Sequence, residues 1–128
     1  MAGTLVANTI NTDTGLFSTN NAYLGIAKSW VYFVGSSGTI TSSFNVSSVT
    51  RNGTGQYTIN FTTAMTDANY SIQGNINYTH GSSSAGFTNG NATGTFGSHS
   101  TTQCAVSTFN ASIALFDAPG VYVAVFGN

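Results

Sequence analysis

Residues 56–62 read Gln-Tyr-Thr-Ile-Asn-Phe-Thr, and residues 70–78 read Tyr-Ser-Ile-Gln-Gly-Asn-Ile-Asn-Tyr. In both stretches large apolar residues stand at almost every second position, as they do on a β-strand with one buried face. The alternation predicts two strands that pack against a core. The core side chains that it predicts are Tyr57, Ile59, Phe61, Tyr70, Ile72 and Tyr78.

Less regular apolar runs predict six further strands, at residues 4–10, 29–34, 39–49, 101–109, 111–116 and 121–126. Asn52-Gly53 lies between two of the predicted strands and can adopt the positive φ of a tight hairpin, so residues 39–49 and 56–62 are predicted to pair antiparallel. The fold class that follows is all-β, an antiparallel β-sandwich of about eight strands.

Composition restricts the function. The 128 residues include two basic and three acidic side chains, 4% of the chain, where about 25% is usual. Two cations cannot neutralise a run of phosphates, so we expect no nucleic-acid partner. Every apolar run is far shorter than the roughly 20 residues of a membrane span, so we expect no membrane insertion. The single Cys104 excludes an intrachain disulfide and is predicted to be a core residue.

The chain divides into two predicted parts. Residues 1–28 hold too little apolar surface to fold alone and are predicted to form an extended arm for assembly or attachment, while residues 29–128 form the sandwich. A monomer would expose the apolar side chains of the arm, so we expect an oligomer. The candidate assembly residues are Leu5, Val6, Ile10, Leu16 and Phe17.

A long polar segment is the candidate contact surface. Residues 81–102 consist almost entirely of Gly, Ser, Thr and Asn, and they are too many for an ordinary connection, so they are predicted to form a functional or mobile loop. Its isolated phenylalanines are either anchors beneath their own segment, the interpretation we favour, or stacking surfaces for a sugar ring. The candidate receptor contacts are Phe87, Asn89, Asn91, Phe96 and His99.

No pattern of catalytic residues is found. Asp67 and Asp117 are predicted to cap local backbone groups in turns, and the sequence contains no Gly-x-Ser-x-Gly elbow. In a trimer, three copies of His80 or of His99 would suit a metal, but neither has a second ligand at a metal-like spacing, so both are predicted to be loop histidines. We therefore expect a protein without enzymatic activity, cofactor or metal.

Four ordered motifs occupy the middle of the chain. Residues 25–33 read Gly-Ile-Ala-Lys-Ser-Trp-Val-Tyr-Phe, residues 43–49 read Ser-Phe-Asn-Val-Ser-Ser-Val, residues 52–65 read Asn-Gly-Thr-Gly-Gln-Tyr-Thr-Ile-Asn-Phe-Thr-Thr-Ala-Met, and residues 67–70 read Asp-Ala-Asn-Tyr. This set resembles a β-rich module of tail-fibre and other virion structural proteins of tailed bacteriophages, especially marine phages and cyanophages. The resemblance covers residues 25–72, and the ending at residues 121–128 is also similar.

The resemblance implies structural roles for its motif residues. Trp30 and Phe44 fit core positions, Asn52-Gly53 fits a hairpin turn, and residues 67–69 fit the turn into the next strand. It also implies a place in the virion rather than a chemical reaction, because such proteins commonly form homotrimers whose variable loops face the host. We therefore expect a virion structural protein, a trimeric tail fibre or fibre tip involved in host attachment.

Two alternatives remain open, a capsid decoration or head-fibre protein and a carbohydrate-binding β-sandwich module. The expected partners are other copies of the chain, other virion proteins and a glycan on the host surface. The N-terminus has neither the charged start nor the apolar core of an export signal, so we expect synthesis in the host cytoplasm and a final location in the virion.

Overall fold

Strands account for most of the regular structure. The computed structural model describes residue 3 and residues 9–12, 15–18, 25–77, 86–90 and 98–127. The strands are β1 (Thr9–Thr12), β2 (Gly15–Ser18), β3 (Ser29–Val34), β4 (Thr39–Phe44), β5 (Val46–Gly53), β6 (Gln56–Phe61), β7 (Ser71–Asn77), β8 (Gly86–Asn89), β9 (Gln103–Phe109) and β10 (Gly120–Phe126).

The strands form two four-stranded sheets and a separate hairpin. The first sheet has the order β4-β3-β10-β7, and the second sheet has the order β5-β6-β9-β8. All of their neighbouring strands pair antiparallel. The predicted arm contains β1 and β2, which pair with each other in a two-stranded sheet of their own. The two larger sheets enclose one apolar core, so the predicted all-β, antiparallel fold is confirmed.

The core lies between the inner faces of the two larger sheets. Phe33 of the first sheet meets Tyr57 of the second sheet edge to face, with ring centroids 4.9 Å apart. Cys104 is completely buried as predicted, and burial raises the pKa of its thiol to about 12. The alternating residues of β6 and Ile72 of β7 are buried as predicted, and Tyr70 packs against them. Tyr78, the remaining predicted core residue, lies outside the described residues.

The single strand predicted at residues 39–49 is two strands in different sheets. The chain turns at Asn45, whose φ of 55° is a left-handed conformation that Asn adopts more readily than most residues. Its Nδ2 donates to the carbonyl oxygens of Lys28 and Thr63, each at 3.1 Å. Its Oδ1 accepts a hydrogen bond of 2.7 Å from the Thr63 amide. The prediction was wrong because this corner leaves no Gly or Pro signal in the sequence.

The hairpin of β5 and β6 is confirmed, but its turn lies two residues later than predicted. Asn52 and Gly53 end β5, and Thr54 and Gly55 form the turn. Gly55 has the positive φ, 65°, and a side chain at this position would collide with the carbonyl oxygen of Thr108. Glycine is therefore required at position 55 for both its conformation and its lack of a Cβ.

Two other predictions need correction. Residues 111–116 form a tight turn with one isolated bridge instead of a strand, because the Asn110 side chain accepts hydrogen bonds from the amides of Ser112 and Ala114. Residues 81–102 were predicted to be a loop, yet they contain β8, which pairs with β9 at the edge of the second sheet. Four residues with a single large apolar side chain show no alternation from which this strand is recognisable.

The turn into β7 forms as predicted. The Asn69 amide donates to Asp67 Oδ1 at 2.7 Å, so Asp67 caps its local turn. Tyr70 follows this turn, and its hydroxyl donates to the carbonyl oxygens of Ser100 and Gln103. Burial raises the pKa of Tyr70 to about 12. These bonds attach the start of β7 to the segment that leads into β9.

Candidate functional site

The outer face of the first sheet exposes large aromatic side chains to solvent. Along β3, Val31 and Phe33 are buried, whereas Trp30 between Ser29 and Val31 is 40% exposed. On β10, Tyr122 is 42% exposed and stands between buried valines. We name this surface the aromatic face, and it comprises Trp30, Tyr32, Phe44 and Tyr122.

A groove crosses the aromatic face. In the strand register Trp30 lies opposite Ala124, and Ala124 lies opposite Gln73. Ala124 has the shortest side chain of this row, so a depression forms above it. The groove has a volume of about 470 Å³, which is within the range of roughly 300 to 1,000 Å³ typical of small-ligand sites. The lining residues are Trp30, Val31, Tyr32, Gln73, Gly74, Asn75, Tyr122, Val123 and Ala124.

Two stacked tyrosines form one end of the groove. Tyr32 lies opposite Tyr122 in the register, and their rings are parallel within 3°, with centroids 4.5 Å apart. Gly120 leaves room for this arrangement, because a Cβ there would lie 2.9 Å from Cε2 of Tyr32. A hydrogen bond with Tyr32, with a smaller contribution from desolvation, raises the pKa of Tyr122. The Tyr122 hydroxyl is therefore protonated in neutral solution.

Two side-chain amides form the opposite side of the groove. Nε2 of Gln73 donates to the Ser71 hydroxyl at 3.2 Å, and Oδ1 of Asn75 accepts from the Ile76 amide at 2.8 Å. Among the described residues, the Gln73 Oε1 and the Asn75 Nδ2 have no hydrogen-bond partner, so a carbonyl oxygen and an amino group are available to accept from and donate to a ligand. None of the described residues that line the groove is charged. The groove therefore combines aromatic surface with neutral hydrogen-bonding groups.

The exposure of Trp30 and Phe44 corrects the core positions that the resemblance implies for them. Phe44 is 55% exposed and lies opposite Trp30 in the pairing of β4 with β3. Trp30 is on the outer face because Val31 and Phe33, which alternate with it along β3, fill the inner face. Phe44 shares that face because it pairs directly with Trp30. The apolar run at residues 30–34 contains no polar residue that would indicate which side faces solvent.

Of the five residues predicted to contact a receptor, Phe87, Asn89 and His99 lie within the described part of the chain. Phe87 of β8 packs against the core, where its ring occupies the space beside Gly74. It is therefore an anchor for its segment and not an exposed stacking surface. Asn89 is the last residue of β8, and its backbone pairs with that of Val106. Asn91 and Phe96 lie outside the described residues.

His99, the last of the predicted contacts, packs against Tyr70 and does not line the groove. Its ring stacks on Tyr70, with centroids 5.8 Å apart and planes within 9°. Its Nε2 is buried and has no hydrogen-bond partner within the described part of the chain. Its side chain is therefore held beside the start of β7, away from the groove.

The predicted assembly residues lie only partly within the described structure. Ile10 of β1 is opposite Phe17 of β2, and Leu16 is in the same hairpin. Leu5 and Val6 lie outside the described residues. Three of the five predicted residues therefore lie in the hairpin of β1 and β2.

Asp117 attaches the segment before β10 to the β5–β6 hairpin. Its Oδ1 accepts hydrogen bonds from the Gly55 amide at 2.8 Å and the Tyr57 hydroxyl at 2.9 Å, and its Oδ2 accepts from Nη2 of Arg51 at 2.6 Å. Desolvation alone would raise the pKa of Asp117, but the bonds from Arg51, Gly55 and Tyr57 outweigh it and lower the pKa. Desolvation, with a smaller effect of Asp117, raises the pKa of Tyr57. The local cap predicted for Asp117 is therefore wrong, because its partners are in the β5–β6 hairpin.

Clusters of metal-ligating side chains and membrane-spanning helices are both absent from the described residues. No three His, Cys, Asp or Glu side chains among them come together as a metal site requires. The same residues include no helix long and apolar enough to cross a membrane. His80 lies outside this part of the chain.

No known protein family, curated protein or solved structure matches the chain. A functional proposal therefore depends on the groove, on the composition and on the resemblance of residues 25–72 described above.

Proposed function

We propose that the chain is a structural protein of a tailed-bacteriophage virion, located in a tail fibre or fibre tip, and that it contributes to host attachment without catalysing a reaction. The observation that carries this proposal is the resemblance of residues 25–72 to the phage module. Those residues supply β3 to β6 and the beginning of β7, and therefore strands of both sheets. Their motif residues have structural roles, such as the Asp67 turn.

The scarcity of charge supports a role in attachment. With 4% charged residues, the surface relies on hydroxyl and amide groups for its polarity. Contacts between such groups are hardly screened by dissolved ions, in contrast to contacts between exposed charges. Binding through this surface would be retained over a wide range of salt concentrations.

The N-terminal hairpin supports self-association. A two-stranded hairpin is marginally stable in water by itself, and β1 and β2 form a sheet separate from the sandwich. Contacts with other copies of the chain, or with other virion proteins, would stabilise it. The proposed assembly is a homotrimer held together in part by the hairpin.

Antibody labelling of virus particles tests the proposed location. Antibodies against the purified chain are bound to phage particles whose genome encodes it, and the particles are imaged by electron microscopy. Label at the tail is the expected result. Label on the head would instead favour a capsid decoration protein, and absence of label from particles would contradict a virion role.

Native mass spectrometry tests the proposed trimer. The expected species has three times the 13.2 kDa mass of one chain. Deletion of residues 1–24 is expected to weaken assembly and to leave the sandwich folded, because the deletion spares β3 and the bond from the Lys28 amide to the carbonyl oxygen of Val125 in β10. A full-length chain that stays monomeric at micromolar concentration would contradict the proposal.

A further inference from the structure

We propose that the groove on the aromatic face is a binding site for a neutral saccharide. A sugar ring would stack on the groove's aromatic side chains, and its hydroxyl groups would bond to Gln73 and Asn75. The inference rests on the proposed function, because an attachment protein needs a ligand on the host surface, and the groove supplies the chemical class of that ligand.

The aromatic wall suits one side of a sugar ring. A pyranose presents C–H groups on its faces and hydroxyl groups around its rim. The C–H groups carry partial positive charge and are attracted to the electron-rich face of an aromatic ring, which also removes apolar surface from water. Trp30 and Tyr122 are both two-fifths exposed at the groove, so each retains a large surface for such a contact.

The amide side of the groove suits the rim of the ring. A sugar hydroxyl donates one hydrogen bond and accepts others, and it loses affinity if it is buried without partners. Gln73 and Asn75 lie across Ala124 and Tyr122 from the β3 aromatics, so a ring above Ala124 would have amides at its edge. Within the described residues these amides keep an unpaired acceptor and an unpaired donor.

The absence of charged residues from the groove lining selects against anionic ligands. Single-stranded nucleic acids also stack on aromatic residues, but proteins that bind them combine stacking with a positively charged groove. The described residues that line this groove carry no charge. A phosphate or a uronic acid would lose hydration there without gaining a cation, so the proposed ligand is neutral.

The groove is also organised before any ligand binds. Its side chains lie on paired strands of one sheet, and the rings of Tyr32 and Tyr122 are held in a parallel stack. Few rotamers need to be ordered on binding, which lowers the entropic cost. A second copy of the chain is a less suitable occupant, because it would bury both amides and would have to supply partners for them.

Trp30 provides a direct signal for the test, since it is the single tryptophan of the chain. The full-length protein is first applied to an array of neutral and acidic glycans, and each bound glycan is then titrated while Trp30 fluorescence is recorded. We expect saturable binding of at least one neutral oligosaccharide, with an affinity unchanged between low and molar salt. Acidic glycans of equal length are expected not to bind.

Variants assign the binding to the groove. Tyr122→Ala, or Gln73→Ala with Asn75→Ala, is expected to weaken binding roughly tenfold or more. Tyr122→Phe keeps the ring and is expected to retain binding by stacking. Ile113→Ala is the control, because Ile113 is 83% exposed and does not line the groove. Thermal melts check that each variant is folded.

Three results would overturn the inference. These are binding to no neutral glycan on the array, binding that survives the groove variants, and a Trp30 signal that follows protein concentration instead of sugar concentration. The last would identify the face as a contact between copies. Antibody labelling of the tail together with no glycan binding would reject the saccharide site and leave the virion proposal standing. Glycan binding by a chain absent from particles would reject the virion proposal instead.

Discussion

The outer faces of the two sheets differ in the side chains they expose and in the hydrogen bonds that those side chains make. On the second sheet, Asn60 Nδ2 donates to the hydroxyls of Ser48 and Thr50, and Asn52 Nδ2 donates to the hydroxyl of Thr58. These amides are used within the protein. On the first sheet, the outer face carries the aromatic rings of the aromatic face. The amides of Asn52 and Asn60 on the second sheet are therefore bonded within the protein, whereas the aromatic face of the first sheet is suited to contact with another molecule.

The largest expected effect on stability distinguishes the inner face of the first sheet from its outer face. Phe33 is completely buried against Tyr57, so we expect Phe33→Ala to lower the free energy of unfolding by about 3 to 5 kcal/mol. Trp30, three residues earlier on the outer face, is 40% exposed. We expect Trp30→Ala to cost about 1 kcal/mol. Urea denaturation measures both, and an equal loss in the two variants would show that Trp30 belongs to the core.

The next effect concerns the contacts of Asp117 with the β5–β6 hairpin. We expect Asp117→Asn to lower the free energy of unfolding by about 1.5 to 3 kcal/mol at neutral pH, because it weakens charged hydrogen bonds to Arg51, Gly55 and Tyr57. A carboxyl group whose pKa is lowered by folding stabilises the protein above its unfolded pKa, and that contribution is lost as the pH falls through the folded pKa.

The pH dependence of unfolding checks this assignment. Wild type is expected to lose more stability than Asp117→Asn as the pH falls below the usual carboxyl pKa of 3.8. Denaturation at a series of pH values gives the difference between the two proteins. Parallel pH profiles would mean that the Asp117 contacts do not contribute to folding.

A smaller effect on stability is expected for two matched asparagines, one on the outer face of each sheet. Asn60→Ala removes hydrogen bonds to two hydroxyl groups of the second sheet, and we expect a loss of about 1 kcal/mol in unfolding free energy. Asn75→Ala on the first sheet is expected to change stability by less than about 0.5 kcal/mol, because its side chain is exposed. Similar losses in the two variants would remove the distinction between the faces.

The sequence predicts which face of β6 is buried but not which face of β3, for a physical reason. In β6, polar residues separate Tyr57, Ile59 and Phe61, so the alternation identifies the inner face. In β3, residues 30–34 are apolar on both sides, and the alternation that distinguishes core from surface is absent. The groove was not predictable, because Gln73 and Ala124 are distant in sequence. They become neighbours only through the pairing of β7 with β10.

Corners and edge strands were missed for related reasons. Asn45 turns the chain between sheets through a positive φ that most residues avoid, and nothing beside it in the sequence marks the change. β8 is held by its pairing with β9 and by the burial of Phe87, which are contacts between residues distant in sequence. Ile113 also has a positive φ, 61°, where a β-branched residue is unexpected.

Iodide quenching of Trp30 fluorescence tests the central claim most directly, because every photon of tryptophan emission comes from this one residue. Iodide is charged and does not enter an apolar core, so it quenches only tryptophans in contact with solvent. The aromatic face predicts strong quenching in the native protein, approaching that of the chain unfolded in urea, and protection when a neutral saccharide fills the groove. Native emission that iodide leaves unchanged without ligand would place Trp30 in the core or beneath another subunit, and would contradict an open aromatic face.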